Sequence, residues 1–186
     1  MTSIKRKSFL YFLLLLSALF FYYNFNNHSK TNNKTEYNAG VFELDRGNIG
    51  RALEILLPIA EDGYADSQYA IGYLYHKGKG VQQDDQMAKK WYEKAGTQGH
   101  MPAQYSLGIL YQNSLNNYTR AYNWYKKGAE QGYVLSQYNL GHMYRKGEGI
   151  SQDYTAAFKW YKKAAEQEHA PAQFNLATMY RKGMGG

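Results

Sequence analysis

Apolar and small residues recur along this chain at spacings of three and four, and the same block of spacings returns several times. Around Gln68 the block holds Ser67, Ile71, Gly72, Leu74 and Tyr75. The slots are refilled by Ala103, Leu107, Gly108, Leu110 and Tyr111, then by Ser136, Leu140, Gly141, Met143 and Tyr144, then by Ala172, Leu176, Ala177, Met179 and Tyr180. Such spacing places the side chains on one face of a helix, here termed helix A of a unit. A second stripe follows each of the first three blocks: Ala88, Trp91, Tyr92 and Ala95; Ala121, Trp124, Tyr125 and Gly128; Ala157, Trp160, Tyr161 and Ala164. This is helix B. The steps from Gln68-Tyr69 to Gln104-Tyr105, Gln137-Tyr138 and Gln173-Phe174 are 36, 33 and 36 residues. The three Trp-Tyr pairs use every tryptophan in the chain, and a period of this length predicts stacked supersecondary units.

The segments between stripes carry turn chemistry. Lys77-Gly78-Lys79-Gly80, Lys146-Gly147-Glu148-Gly149 and Lys182-Gly183-Met184-Gly185 follow helix A, and a glycine past a helix end can close its last turn in the left-handed region. Asp84 and Asp153 stand where an N-cap of helix B is expected. The second unit is three residues shorter, with Asn113-Ser114-Leu115-Asn116-Asn117 in place of the Gly-x-Gly turn. His100 and His169 fill equivalent linker slots, 69 residues apart, which points to a structural role at turns. Gly72, Gly108 and Gly141 fall in the middle of helix A, where glycine costs about 1 kcal/mol relative to alanine. Its return in three copies predicts a close approach by the Trp or Tyr of helix B, and Trp91, Trp124 and Trp160 are expected between the helices.

The pattern A-x-x-Q-Y-x-L-G-x-x-Y, G-x-G-V-x-x-D, A-x-x-W-Y-x-K-A-x-x-Q-G resembles the Sel-1-like repeat, a branch of the tetratricopeptide superfamily. The resemblance covers roughly residues 36–186 and implies an all-α, right-handed solenoid of antiparallel helix pairs serving as a protein-interaction scaffold. By that likeness helix A lines the inner surface. Its off-core stripe reads Ala70, Tyr73, Lys77; Ser106, Ile109, Asn113; Asn139, His142, Lys146; Asn175, Thr178, Lys182. Tyr73, Lys77, Ser106, Asn139, His142, Lys146 and Asn175 are therefore the expected partner-binding residues, facing a protein or peptide. Some relatives carry a β-lactamase label. This chain has no Ser-x-x-Lys, G-x-S-x-G or H-E-x-x-H motif and no P-loop, and the label is not carried over.

The units are expected at 65–100, 101–133 and 134–169. A degenerate first unit spans 35–64, and a half unit at 170–186 holds helix A alone. In the first, Ala52, Ile55, Leu56 and Ile59 form a helical stripe that Pro58 should kink or end. In the last, Leu176, Met179 and Tyr180 are expected to be exposed.

The N-terminus is of another kind. Lys5-Arg6-Lys7 precedes an uncharged apolar run, and residues 9–25 reach the lower limit for a membrane span. No small-x-small site follows it. Residues 1–27 thus read as a signal-anchor, or alternatively a cleaved signal peptide, with residues 28–34 as a polar tether. A basic flank held in the cytoplasm would put the repeats on the periplasmic or outer side of a bacterial-type inner membrane. Cleavage would leave a secreted protein.

Charge changes the picture little. The net charge is +7, but Lys5, Arg6, Lys7 and Lys30 supply +4 in a stretch without acids, so the remainder carries only +3. That disfavours nucleic acid as a partner. The absence of cysteine removes thiol chemistry and zinc–thiolate sites. No catalytic residue, cofactor, metal or small-molecule substrate is expected.

Overall fold

The computed structural model describes residues 32–185, and every regular element among them is a helix. Helix α1 occupies residues 32–45. It is followed by α2 (Ile49–Glu61), α3 (Ala65–Lys77), α4 (Asp85–Thr97), α5 (Met101–Asn113), α6 (Tyr118–Glu130), α7 (Val134–Lys146), α8 (Tyr154–Ala165) and α9 (Ala170–Lys182). The expected anchor at residues 9–25 lies outside the described residues. Among the described residues no helix is long and apolar enough to cross a membrane.

The chain divides into two compact units at Ile55 and Leu56. In the first, residues 32–34 are helical, although their polar composition suggested a tether. Asn32 donates to Glu36 Oε1 at 2.9 Å one turn on. Gly47 turns the chain after α1 at φ 79°, and the Asn48 side chain donates back to Glu43 at 2.7 Å. Pro58 does not end α2. The helix continues to Glu61, and the Pro58 carbonyl accepts from the Asp62 N–H at 3.0 Å.

In the second unit, α3–α4, α5–α6 and α7–α8 are helix pairs, with α9 packed on α8. Glycine fixes how closely each pair approaches. A methyl group at Gly72 would stand 2.6 Å from Tyr92 Cδ1, and one at Gly141 would stand 2.9 Å from Tyr161 Cδ1. At Gly108 it would overlap the Tyr125 ring. The residue under which helix A narrows is therefore the tyrosine of each Trp-Tyr pair, not the tryptophan. Tyr92, Tyr125 and Tyr161 are almost wholly buried, an environment worth about 1.5–3 kcal/mol for a side chain of this size. Because Gly72 lies six residues before Gly78 and Tyr92 eight after Asp84, the two helices run antiparallel. The tryptophans sit beside this contact. Trp91 is buried, whereas Trp124 and Trp160 are half-buried. Each ring is covered by the lysine three residues on, with Nζ 4.1, 4.3 and 4.5 Å from the ring centres of Trp91, Trp124 and Trp160.

Helix ends follow the turn residues. Gly78, Gly147 and Gly183 take φ 64°, 73° and 63° as C-caps. Asp84 accepts from the N–H groups of Gln86 and Met87 at 2.8 and 2.9 Å, and Asp153 from that of Ala156 at 2.9 Å. In the shortened second turn Asn117 does the same for Arg120 at 3.0 Å.

A relay of glutamines joins each hairpin to the one before it. Gln104 Nε2 donates to the Gly96 carbonyl at 2.9 Å, near the end of α4, and its Oε1 accepts from Gln131 at 2.7 Å. Gln68 makes the same pair of bonds with Ala60 and Gln98, and Gln137 with Ala129 and Gln167. Each of these carbonyls also accepts from the N–H of the glycine three residues on (Gly63, Gly99 or Gly132), and the glutamine occupies its second lone pair.

At the C-terminal end, Met179 is buried at 1% exposure, contrary to the expectation from its place in the last stripe. It joins the cluster of Ala157, Tyr161, Ala164 and Ala172. Tyr180 is 62% exposed, with its ring edge-on to Phe158 at 4.9 Å.

Candidate functional site

On the off-core stripe of helix A a hydrogen bond joins the last two helices A. Asn175 on α9 reaches the Tyr138 hydroxyl on α7 at 3.5 Å. Asn139 on α7 donates to the Leu135 carbonyl at 2.9 Å, one turn back in its own helix. Burial pushes the Tyr92, Tyr105, Tyr125 and Tyr161 hydroxyls up from the ordinary tyrosine range, so they keep their protons and act as neutral hydrogen-bonding groups.

A second layer of rings lies beneath. Tyr69 stands 5.7 Å from Tyr92 and 5.0 Å from His100. Tyr105 stands 6.0 Å from Tyr125 and 5.8 Å from Tyr133. Tyr138 stands 5.8 Å from Tyr161 and 4.9 Å from His169. The linker histidines are N-caps: His100 Nδ1 accepts from the Ala103 N–H at 3.1 Å, and His169 Nδ1 from that of Ala172 at 3.3 Å. With Nδ1 an acceptor, the proton of neutral His100 is on Nε2, which donates to Asp66 at 3.0 Å. Burial lowers the His100 pKa below the usual histidine value, against the opposing pull of Asp66.

Towards the end of helix A the stripe becomes charged. The Tyr125 hydroxyl donates to Gln112 at 3.0 Å, and Gln112 donates to Glu148 at 3.3 Å. Glu148 lies 3.4 Å from Lys146 Nζ and 4.0 Å from His142 Nδ1. Burial and then Lys146 lower the His142 pKa, with Glu148 opposing. At 4.0 Å His142 and Glu148 share no hydrogen bond. Among the described residues no group of three or more histidines and carboxylates is placed to hold a metal ion.

A profile of the Sel1 repeat matches residues 65–100, 102–133, 134–169 and 170–186. The chain belongs to the Sel1 repeat family. It is similar to c5321, a protective antigen of uropathogenic Escherichia coli displaying an SLR fold, at 32% identity and a TM-score of 0.78. That likeness covers 82% of this chain and 34% of c5321. A Sel1 repeat protein from Oxalobacter formigenes is 31% identical with a TM-score of 0.75, over 79% of this chain and 62% of that one. The chain therefore spans about a third of the first relative and less than two thirds of the second. Comparison with curated proteins returned no match.

Within the Sel1 units the seven stripe residues differ in their surroundings. Tyr73 is 36% exposed, with Lys79 Nζ 5.6 Å from its ring centre, and Lys77 and Lys146 are exposed. Ser106, Asn139, His142 and Asn175 are half-buried. Ala70, the first member of the stripe, is buried instead. Sequence reasoning did not assign the glutamine relay, Gln112 or Glu148. The recurring Gln68-Tyr69 pair signalled the relay, since a polar residue kept in register with an apolar stripe has a buried partner to find.

Proposed function

We propose that this Sel1 repeat chain is a non-catalytic scaffold that holds a protein segment against the helix-A face of a right-handed solenoid. Sel1 repeat proteins are generally protein-interaction scaffolds, and the repeat fold is typically non-catalytic. The observation that carries the reading is the continuity of the stripe. The Asn175–Tyr138 bond ties α9 to α7, two consecutive helices A, and the half-buried Asn139, His142 and Ser106 carry the same stripe towards the exposed ring of Tyr73. Such a surface offers amides, hydroxyls and a ring to an extended segment crossing several units, which is how solenoids take peptides. Tyrosine is a side-chain type that anchors interfaces, and Tyr73 is exposed on this stripe.

The apolar segment 9–25 would hold the scaffold to a membrane with the repeats outside the cytoplasm. The mass of the mature chain tests this directly, because cleavage would remove Lys5, Arg6 and Lys7. The face is tested by replacing Tyr73, Asn139 and His142 together in a chain crosslinked in its native membrane. Loss of the captured protein with an unchanged melting temperature is expected; unchanged capture would exclude this face.

A further inference from the structure

A second surface of the molecule uses residues that the repeat does not repeat. Between α4 and α6 lies an open cavity of about 280 Å³, lined by Glu93, Tyr111, Arg120, Asn123, Trp124 and Lys127. None of the helix-A stripe residues lines it. Tyr111 is buried and has counterparts at Tyr75, Tyr144 and Tyr180; Trp124 and Lys127 also recur. The other three are singular. The slot of Glu93 holds Lys126 and Lys162 in the later units, that of Arg120 holds Met87 and Ala156, and that of Asn123 holds Lys90 and Lys159.

These singular residues form a connected arrangement. The Tyr111 hydroxyl donates to Glu93 Oε1 at 2.8 Å and accepts from Arg120 Nη1 at 3.3 Å. The guanidinium also lies over the Tyr111 ring, with Cζ 5.5 Å from its centre. One arm of Arg120 is thereby held, while the guanidinium still has donors to give. Among the described residues no carboxylate lies within 4.0 Å of Arg120 or Lys127 in an ion pair. Lys127 is steadied instead over the Trp124 ring at 4.3 Å. Two positioned cations and an amide, Asn123, thus meet beside an indole.

We propose that this cavity binds a carboxylate group carried on a short apolar or peptide body. The planar guanidinium matches a carboxylate in two-point geometry, and Lys127 adds a second positive charge. Glu93 lies within the same cavity and would repel a doubly charged phosphate more than a singly charged carboxylate. It also supplies an acceptor for an N–H of the carrier, and Trp124 a flat wall for its apolar part. The carboxylate can come from a glutamate or aspartate side chain of a peptide, or from a small carboxylic acid. The inference does not depend on the helix-A face.

The test is a titration of the full, isotope-labelled chain, read at the indole N–H signal of Trp124. One probe is the blocked hexapeptide Ser-Gly-Glu-Phe-Gly-Ser, its control carries Gln for Glu, and a second probe is N-acetylglutamate. Saturable shifts with the glutamate peptide, absent with the Gln control and weakened about tenfold by Arg120→Gln, are the expected result. Tightest binding by the peptide assigns the site to an acidic segment, and equal or tighter binding by N-acetylglutamate assigns it to a small acid. Three results would overturn the proposal: equal shifts with the Gln control, unchanged affinity in R120Q, or no saturation by about 10 mM with either acid. Arg120→Gln alters an exposed side chain, and an unchanged melting temperature certifies the comparison.

Discussion

The junction formed by α4, α5 and α6 and the one formed by α6, α7 and α8 are built on one frame and finished differently. In both, a helix-A glycine lies under a helix-B tyrosine, a glutamine caps the preceding helix B, and a lysine covers a tryptophan. The finish diverges on helix B. The first junction has Glu93, Arg120 and Asn123 gathered about Tyr111, with the hydroxyl shared between an acid and a guanidinium. The second has Lys126, Ala156 and Lys159 in those slots, and Tyr144 bonds to the Tyr122 hydroxyl at 2.9 Å. Burial, with the Tyr122 bond adding to it, raises the Tyr144 pKa to about 12. Positions shared by the units maintain packing, so chemistry particular to this chain concentrates where the units disagree.

Breaking the shared frame should have the largest effect. Gly108→Ala puts a methyl group into the Tyr125 ring and should lower stability by about 2–3 kcal/mol in chemical denaturation, within the range for overpacked cores. Gly141→Ala, where the added carbon meets the ring at 2.9 Å, should cost less. Equal losses at the two sites would show that the ring positions are interchangeable. Next comes the relay: Gln104→Leu removes its bonds to the Gly96 carbonyl and the Gln131 amide, which keep the Gly99 N–H and the Lys127 carbonyl as partners, and should cost about 0.5–1.5 kcal/mol. Gln173→Leu, at an exposed position without a glutamine donating to it, should change the melting temperature little.

The difference between the junctions can also be transplanted. Lys126→Glu, Ala156→Arg and Lys159→Asn together should give the second junction a carboxylate site and double the stoichiometry of the acidic hexapeptide in calorimetry. An unchanged stoichiometry would mean that the three side chains alone do not make the site. The smallest effect concerns acid. His100 caps α5 in its neutral form with a lowered pKa, so the stability it contributes is complete above the unfolded-state value of about 6.5 and is lost as pH falls towards the folded-state value. The loss should reach at most about 1 kcal/mol, the worth of an N-cap, and His100→Asn should abolish it in melts across that range. The α6–α7 linker has Tyr133 in the same slot and should show no such dependence.

Much of the frame was legible in the spacing. The paired helices, the glycine turns, and the Asp84 and Asp153 caps follow from residue types whose backbone consequences are local. The tyrosine, rather than the tryptophan, under each glycine was not legible, since both lie on the apolar face and only their angle on helix B separates them. Met179 shows a second limit. Its stripe suggested exposure, but α9 still packs on α8 and buries it. Pro58 shows a third: a proline near the end of a helix removes one bond without stopping the final turn. The cavity at Arg120 was invisible because Glu93, Tyr111 and Arg120 lie on three helices, and spacing reports only on residues that share one.

The glutamine relay bears on how such a chain changes length. Each glutamine asks of the preceding hairpin only a main-chain oxygen, which every residue type supplies. If residues 101–133 were excised, Gln137 would meet the Gly96 oxygen that Gln104 meets now. Exchange of whole repeats would therefore keep the bonds of the relay, whereas side-chain contacts at the new boundary would have to refit, since Ser136 now packs on Gly128 and would meet Ala95 instead.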